Sequence, residues 1–344
     1  MAAPRARPPA AVHAAQQFLA CAPHSPHRRR QTLDANQLQK LSLTLGRREL
    51  HPGRDVSRGP PPPATPLPPG YHLVYFTPSQ AEAALAPDGT DTLFNAPRPF
   101  TRRMWAGGRV RWVDGGKGTR LRVGDEVEEV TRVVGAEGKR GRDGAGMVVV
   151  EVEKEFRVVT SNGGGSGGKG TAVVDRRSWI FRPPVEAAVG VNVNRDIGLD
   201  TAAPRRHDKS RLWDVPAAES PSGFLERHMS WSPVALFGFS ALTFNAHKIH
   251  YNESWTRDVE GHPDVVVHGP LNLINMLDYW RDVHGRDGLR LKEITYRATA
   301  PVYAQEPYRI ITSAVKGGEE PRYELLVKKG DVVCMKGEIV ARRD

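Results

Sequence analysis

Cysteine is nearly absent from this 344-residue chain: Cys21 and Cys334 are the only two, and neither stands in a CxxC or Cys/His ligand spacing. That argues against a disulfide scaffold and against a structural zinc site of the usual kind. No run of 18 or more apolar residues occurs, so no segment is suited to cross a bilayer as a helix. Carboxylates are missing altogether from the first 33 residues, which carry five arginines. What is present is globular in character, with 39% hydrophobic and 26% charged residues over a length that allows two domains and a sizeable core.

The net charge of +10 points to nucleic acid only if the positive residues gather on a folded surface. Ten Lys/Arg against three acids in residues 1–60 account for +7, which leaves a nearly balanced body without an aromatic-rich basic stripe. Nucleic-acid binding is therefore disfavoured. Residues 1–33, arginine-rich, acid-free and alanine-rich at 11–22, fit a mitochondrial transit peptide directed to the matrix, with a disordered basic tail as the alternative.

Residues 34–70 read as a short helix and a proline-rich connector: Asp34 is an N-cap candidate, leucines recur at 38, 41, 43 and 45, and Gly46 can stop the helix. The folded body starts near Tyr71. Over 71–184 the runs HLVYF (72–76), RVRWV (109–113), EVEEVTRVV (126–134), GMVVVEVEKEFRVV (146–159) and SWIF (178–181) predict strands, with a helix near Ser79–Leu85. The glycine clusters at 115–118, 135–146 and 161–170 lie between β-type segments. That flanking does not suit a phosphate loop, which needs a helix after the glycines. Residues 185–220 read as a linker, and 221–344 as a second unit with an apolar helix from Pro270 followed by antiparallel strands, the last two joined at Gly330-Asp331. A long helix followed by antiparallel strands predicts an α+β unit whose sheet wraps the helix.

Chemistry concentrates between Trp231 and Gly269, where Asn245, His247, His250, Tyr251, His262 and His268 crowd among apolar neighbours. Metal ligation and proton transfer are both open. Metal is the weaker reading, because Glu253 is the only carboxylate at helical spacing to His250 and none stands so to His247. Proton transfer suits imidazoles with amide and hydroxyl groups to orient them. Gly269 precedes Pro270, the favoured first residue of a helix. Its N–H, aided by the helix dipole, could polarise a carbonyl oxygen.

The segment FNAHKIHYNE (244–253), followed by VVVHGPL (265–271), resembles the hydratase motif of the MaoC-like hot-dog hydratases. FTRRMWAGG (100–108) and RSWIFR (177–182) resemble more closely the hydroxyacyl-thioester dehydratase type 2, or mesaconyl-CoA hydratase-like, branch, and the likeness spans roughly residues 66 to 344. It implies a double hot-dog: two units, each an antiparallel sheet around a central helix, with 71–184 as a non-catalytic unit and 221–344 as the catalytic one. His250 then falls on the family's catalytic histidine, His247 on its asparagine, and Asn245 on its aspartate, so the usual carboxylate is replaced by an amide. Gly269 would hold the thioester oxygen, with His268 ordering the loop.

The implied activity is dehydration of 3-hydroxyacyl thioesters, carried on acyl carrier protein or CoA, in mitochondrial type II fatty acid synthesis. No cofactor or metal is required. Neither nucleic acid nor membrane is expected as a partner, and self-association is left open. The alternatives are hydration of a dicarboxylic acyl-CoA such as mesaconyl-CoA, a hot-dog thioesterase, or a hot-dog that binds acyl thioesters without turnover. Trp105 is a candidate lining residue of an acyl tunnel, and Arg102, Arg103 and Arg109 are candidate contacts for a phosphate or an acidic carrier.

Overall fold

Alternation of apolar residues at period two becomes an antiparallel sheet of eleven strands in the computed structural model, which describes residues 10–23, 25–113, 120–141, 143–160, 170–185, 209–221, 223–285 and 288–343. The predicted turns at 115–118 and 161–169, and most of the linker, lie outside these residues.

The first half runs through α1 (Ala10–Cys21), β1 (His27–Thr32), α2 (Ala35–Thr44), the ribbon β2 (Glu49–His51) and β3 (Arg54–Asp55), then β4 (Arg102–Trp112), β5 (Glu126–Arg140), β6 (Gly146–Thr160) and β7 (Gly170–Arg182). The second half comprises β8 (Arg211–Val215), β9 (Glu226–Ser230), α3 (Pro233–Leu242), α4 (Gly269–Val283), β10 (Leu289–Ala298), β11 (Tyr308–Lys316), β12 (Arg322–Lys329) and β13 (Val332–Arg343). The strands lie in the order β1-β5-β6-β7-β4-β10-β13-β12-β11-β9-β8. Reading outward from the β4–β10 seam, the halves repeat one plan: β4 matches β10, β7 matches β13, β6 matches β12, β5 matches β11 and β1 matches β9. The expected pair of sheet-and-helix units, a double hot-dog, is what the chain forms.

In the second half the sheet wraps α4, in which every residue from Leu271 to Trp280 is buried. A helix apolar nearly all round needs such a surrounding, and two of its polar members take bonds from buried tyrosines. Tyr308 Oη donates to Asn272 at 2.7 Å and Tyr71 Oη donates to Asp278 at 2.9 Å, the latter joining the two halves.

Three expectations for the first half need correction. The run HLVYF is not a strand: Tyr71–Val74 form a buried 3-10 turn, at the chain position that α4 occupies in the second half. Near Ser79–Leu85 there is only a short 3-10 turn, Glu82–Ala84, with no buried residue. The folded body also starts well before Tyr71. Leu33, Leu38, Leu41, Leu45, Leu50 and Val56 are all core residues, and Asp34 caps α2 by accepting the N–H groups of Asn36 and Gln37.

The arginines expected in a leader belong to β1, which pairs with β5 along its length. Arg28 and Arg30 meet Glu128, and Arg29 meets Glu129 at 2.9 Å. Helix α1 lays Ala11, Ala14, Ala15 and Phe18 against the cluster of Val148, Val150 and Val152 on β6. Residues 10–23 and 25–33 are thus part of the fold; residues 1–9 are not described.

Candidate active site

Helix α3 ends in a reversal that delivers the motif segment. The N–H of Asn245 reaches back to the carbonyl of Ser240 and that of Phe244 to Ala241, with Phe244 itself left-handed at φ 45°. This closing geometry usually takes glycine; a phenylalanine here stores strain beside the site. Asn245 Oδ1 then accepts the His247 N–H at 3.1 Å, and a 3-10 turn over Lys248–His250 follows.

His250 is buried, with Nδ1 2.7 Å from the carbonyl oxygen of Val266. A carbonyl only accepts, so Nδ1 carries the hydrogen and Nε2 keeps its lone pair. The Val266 N–H returns a bond to the Ile249 carbonyl at 2.8 Å, which fixes the pairing of the two segments. Burial pushes the His250 imidazole down to about 4, so the ring is neutral at pH 7.

His268 stacks on His250 with ring centroids 3.7 Å apart, and its Nε2 lies 2.9 Å from Ser240 Oγ. His247 stands edge-on to His250 at 5.3 Å. Burial, reinforced by the neighbouring imidazoles, also holds His247 and His268 well below the usual histidine range. The structure therefore brings His247, His250 and His268 together, with Asn245 holding the backbone of the first. Among the described residues, no three His, Cys, Asp or Glu side chains converge as a metal-holding group. His262 pairs instead with Tyr303, and Tyr251 is exposed.

Gly269 opens α4, so its N–H has no carbonyl four residues back within the helix. Trp105, on β4 of the other half, packs against it: a Cβ at position 269 would lie 2.8 Å from the indole Cδ1. Only glycine fits under that ring. Trp105 also stacks on Tyr296 across the seam.

A cavity of about 640 Å³ lies alongside, lined by the loop of residues 78–91 and by Phe237, Ser240, Phe244, Asn245 and Tyr251 among others. The three imidazoles are not among its lining residues. Two wall residues touch them: Ser240 through its hydroxyl to His268, and Asn245 through the His247 backbone.

Arg102 and Arg103 are not free for a phosphate. Arg102 Nε sits 2.5 Å from Glu260 and Arg103 is 2.6 Å from Asp91, so both brace loops around the site. Arg109 is paired with Glu293 at 2.6 Å on the surface.

Two contributors were not predicted. Ser240 lies 28 residues before its partner His268, with no spacing rule to mark it. Asp88 comes from the first half, where Pro87-Asp88-Gly89 reads simply as a turn; its Oδ2 lies 3.6 Å from His247 Nε2.

Comparison with known proteins agrees with this architecture. The sequence model of hydroxyacyl-thioester dehydratase type 2 matches residues 70–304, more than half of the chain. A mesaconyl-C(4)-CoA hydratase of Chloroflexus aurantiacus is 28% identical over 255 residues, covering 74% of this chain and 77% of the relative. The mitochondrial hydroxyacyl-thioester dehydratase type 2 of Schizosaccharomyces pombe is 26% identical over 265 residues, covering 72% and 78%. In fold, the chain is similar to the crystal structure of a MaoC-like dehydratase from Phytophthora capsici, with a TM-score of 0.58 at 14% identity over 93% of this chain and 96% of that one. With the sheet plan, the histidine cluster and the matched residues together, the chain belongs to the hydroxyacyl-thioester dehydratase type 2 family.

Proposed function

We propose that this protein dehydrates 3-hydroxyacyl thioesters to trans-2-enoyl thioesters, and catalyses the reverse hydration, with His250 as the base. The observation that carries this reading is the bond from His250 Nδ1–H to the Val266 carbonyl, which leaves Nε2 as a neutral acceptor beside the N-terminus of α4. Nε2 takes the α-proton of the thioester. The thioester oxygen gathers the resulting charge and is held by the Gly269 N–H at the positive end of the helix dipole. The C3–oxygen bond then breaks, and the hydroxyl leaves as water after receiving a proton from the imidazole pair. His268, stacked on His250 and bonded to Ser240, orders the ring rather than acting as a second base. Asn245 cannot accept a proton and serves to position the segment. The thioester enters from the 640 Å³ cavity, and its reacting carbons must pass Ser240 and Asn245 to reach Nε2.

A place in mitochondrial fatty acid synthesis on acyl carrier protein is supported by the name of the S. pombe relative. Because α1 and β1 belong to the fold, any targeting cleavage falls before Ala10. Hydration of a dicarboxylic acyl-CoA is the second reading, favoured by the similarity to the C. aurantiacus hydratase.

Purified protein is to be offered 3-hydroxybutyryl-CoA, the same acyl group on acyl carrier protein, and mesaconyl-CoA, with products identified by mass. Loss or gain of 18 mass units with the thioester intact is the expected result. Free thiol release would make the protein a thioesterase, and tight binding without turnover would make it an acyl-binding protein.

A further inference from the structure

The family's motif places a carboxylate where this chain has Asn245, and the structure offers another carboxylate at the same cluster from the opposite half. The loop carrying Asp88 is clamped onto the motif segment. Lys248 Nζ donates to the Pro87 carbonyl at 2.7 Å, and the Lys248 N–H donates to the Asp88 carbonyl at 2.8 Å. Gly89, at φ +83°, lies so close to Ala246 that a Cβ would fall 1.9 Å from its carbonyl oxygen. Within this clamp Asp88 is buried, and its Oδ1 accepts both the N–H and the hydroxyl of the fully buried Thr90, at 2.9 and 2.7 Å. Those two bonds fix the carboxylate plane. The other oxygen, Oδ2, is buried without a hydrogen-bond partner and lies 3.6 Å from His247 Nε2.

A buried carboxylate oxygen left without a donor is costly, and the His247 imidazole faces it at 3.6 Å. We propose that Asp88 is a positioning residue for His247: it holds the Nε2–H tautomer, which leaves Nδ1 as an acceptor, and stabilises the positive charge that His247 takes up while it relays a proton to the departing hydroxyl. This inference rests on the dehydratase reading above. In the step it serves, His250 Nε2 gains the α-proton and passes it to His247 Nδ1; the C3–oxygen bond breaks with its electron pair on the hydroxyl, which takes that proton and leaves as water. Both imidazoles are then neutral, as at the start. The carboxylate that the motif lost at position 245 is thereby supplied across the interface of the two halves.

Charged and titratable groups around His247 other than Asp88 work against its protonation. His250 and His262 come from its own region of the chain, and Arg103 and Arg102 from β4. Both arginines are already answered, by Asp91 and Glu260.

Asp88→Asn keeps the shape and an acceptor for Thr90 while removing the charge. For dehydration it is expected to lower kcat tenfold or more with KM within twofold. Both imidazoles must be neutral to accept a proton, and loss of the anion lowers the His247 pKa, so the acid limb of the kcat profile moves to lower pH, by up to about one unit. A side-chain NMR titration should show the same fall for His247. Asp88→Glu should recover part of kcat, and in a His247→Gln background Asp88→Asn should change nothing further. An Asp88→Asn protein with the wild-type kcat and acid limb overturns the inference. So does one that only melts earlier or binds more weakly while the limb stays in place. If the wild-type protein turns over no thioester, the dehydratase reading fails by itself, and the NMR titration still decides whether Asp88 and His247 are coupled.

Discussion

The two halves of the molecule share a strand order and differ in what fills the sheet. In the second half a fifteen-residue helix, α4, occupies the centre, and the histidine cluster forms at its N-terminus. In the first half that place in the chain is taken by the four-residue turn Tyr71–Val74, and α1 is laid from the start of the chain onto β6. A hot-dog that gives up its long helix gives up the dipole and the free N–H groups that polarise a carbonyl. It can still lend side chains, and the first half lends Trp105 against Gly269 and Asp88 against His247. The proposed catalytic kit is thus carried by one half and completed by loops and strands of the other.

The largest effect that would break this comparison is loss of α1 and β1. Deleting residues 1–33 removes the edge strand of β5 and bares Val148, Val150 and Val152, so the shortened chain should be insoluble or unfolded. Deleting residues 1–9 alone should leave a cooperative melting transition. A folded, active chain lacking residues 1–33 would restore the detachable leader.

Acid should separate the halves next. His247, His250, His262, His268 and His284, all in the second half, are held below the ordinary histidine value mainly by burial, with His250 and His284 at about 4. Below the unfolded-state value of about 6.5 the unfolded chain binds protons that the native chain refuses, so stability falls as pH drops from about 6.5 towards 4. His250 alone accounts for on the order of 3 kcal/mol across that window. The first half has fewer such groups, His27 and His51; there burial alone would raise the Asp175 carboxyl, but Arg177 and His72 hold it well below the usual carboxylate range, so its contribution persists to much lower pH. Hydrogen exchange at pH 5 against pH 7 should therefore show α4 losing protection before β6. Equal loss in both would contradict the contrast.

Gly269→Ala sharpens the contact between the halves. Its Cβ must displace the Trp105 indole, at a cost of about 1–3 kcal/mol. Because the same change disturbs the N–H at the helix start, kcat should fall more than melting temperature alone would suggest.

The sequence made the strands of β5, β6 and β13 legible because their apolar residues alternate, and it marked the start of α4 through Pro270. It hid β1, whose HRRRQT contains no apolar residue; the glutamates that answer its arginines lie about a hundred residues away. Composition cannot tell an alanine-rich helix that packs from one that is discarded, and α1 was misjudged for that reason. HLVYF is apolar throughout, a pattern that a strand and a buried turn share. Of the site, the histidines and Gly269 could be named from local spacing, whereas Asp88 and Ser240 join the cluster only through tertiary contact.

The central claim is that an uncharged imidazole at position 250 moves the proton. Its most direct test is the rate of enoyl-thioester absorbance change for wild type and His250→Ala, each first shown to be folded by its melting curve. A loss of roughly 10²–10⁴ in kcat is predicted; a folded His250→Ala protein turning over at the wild-type rate would contradict it.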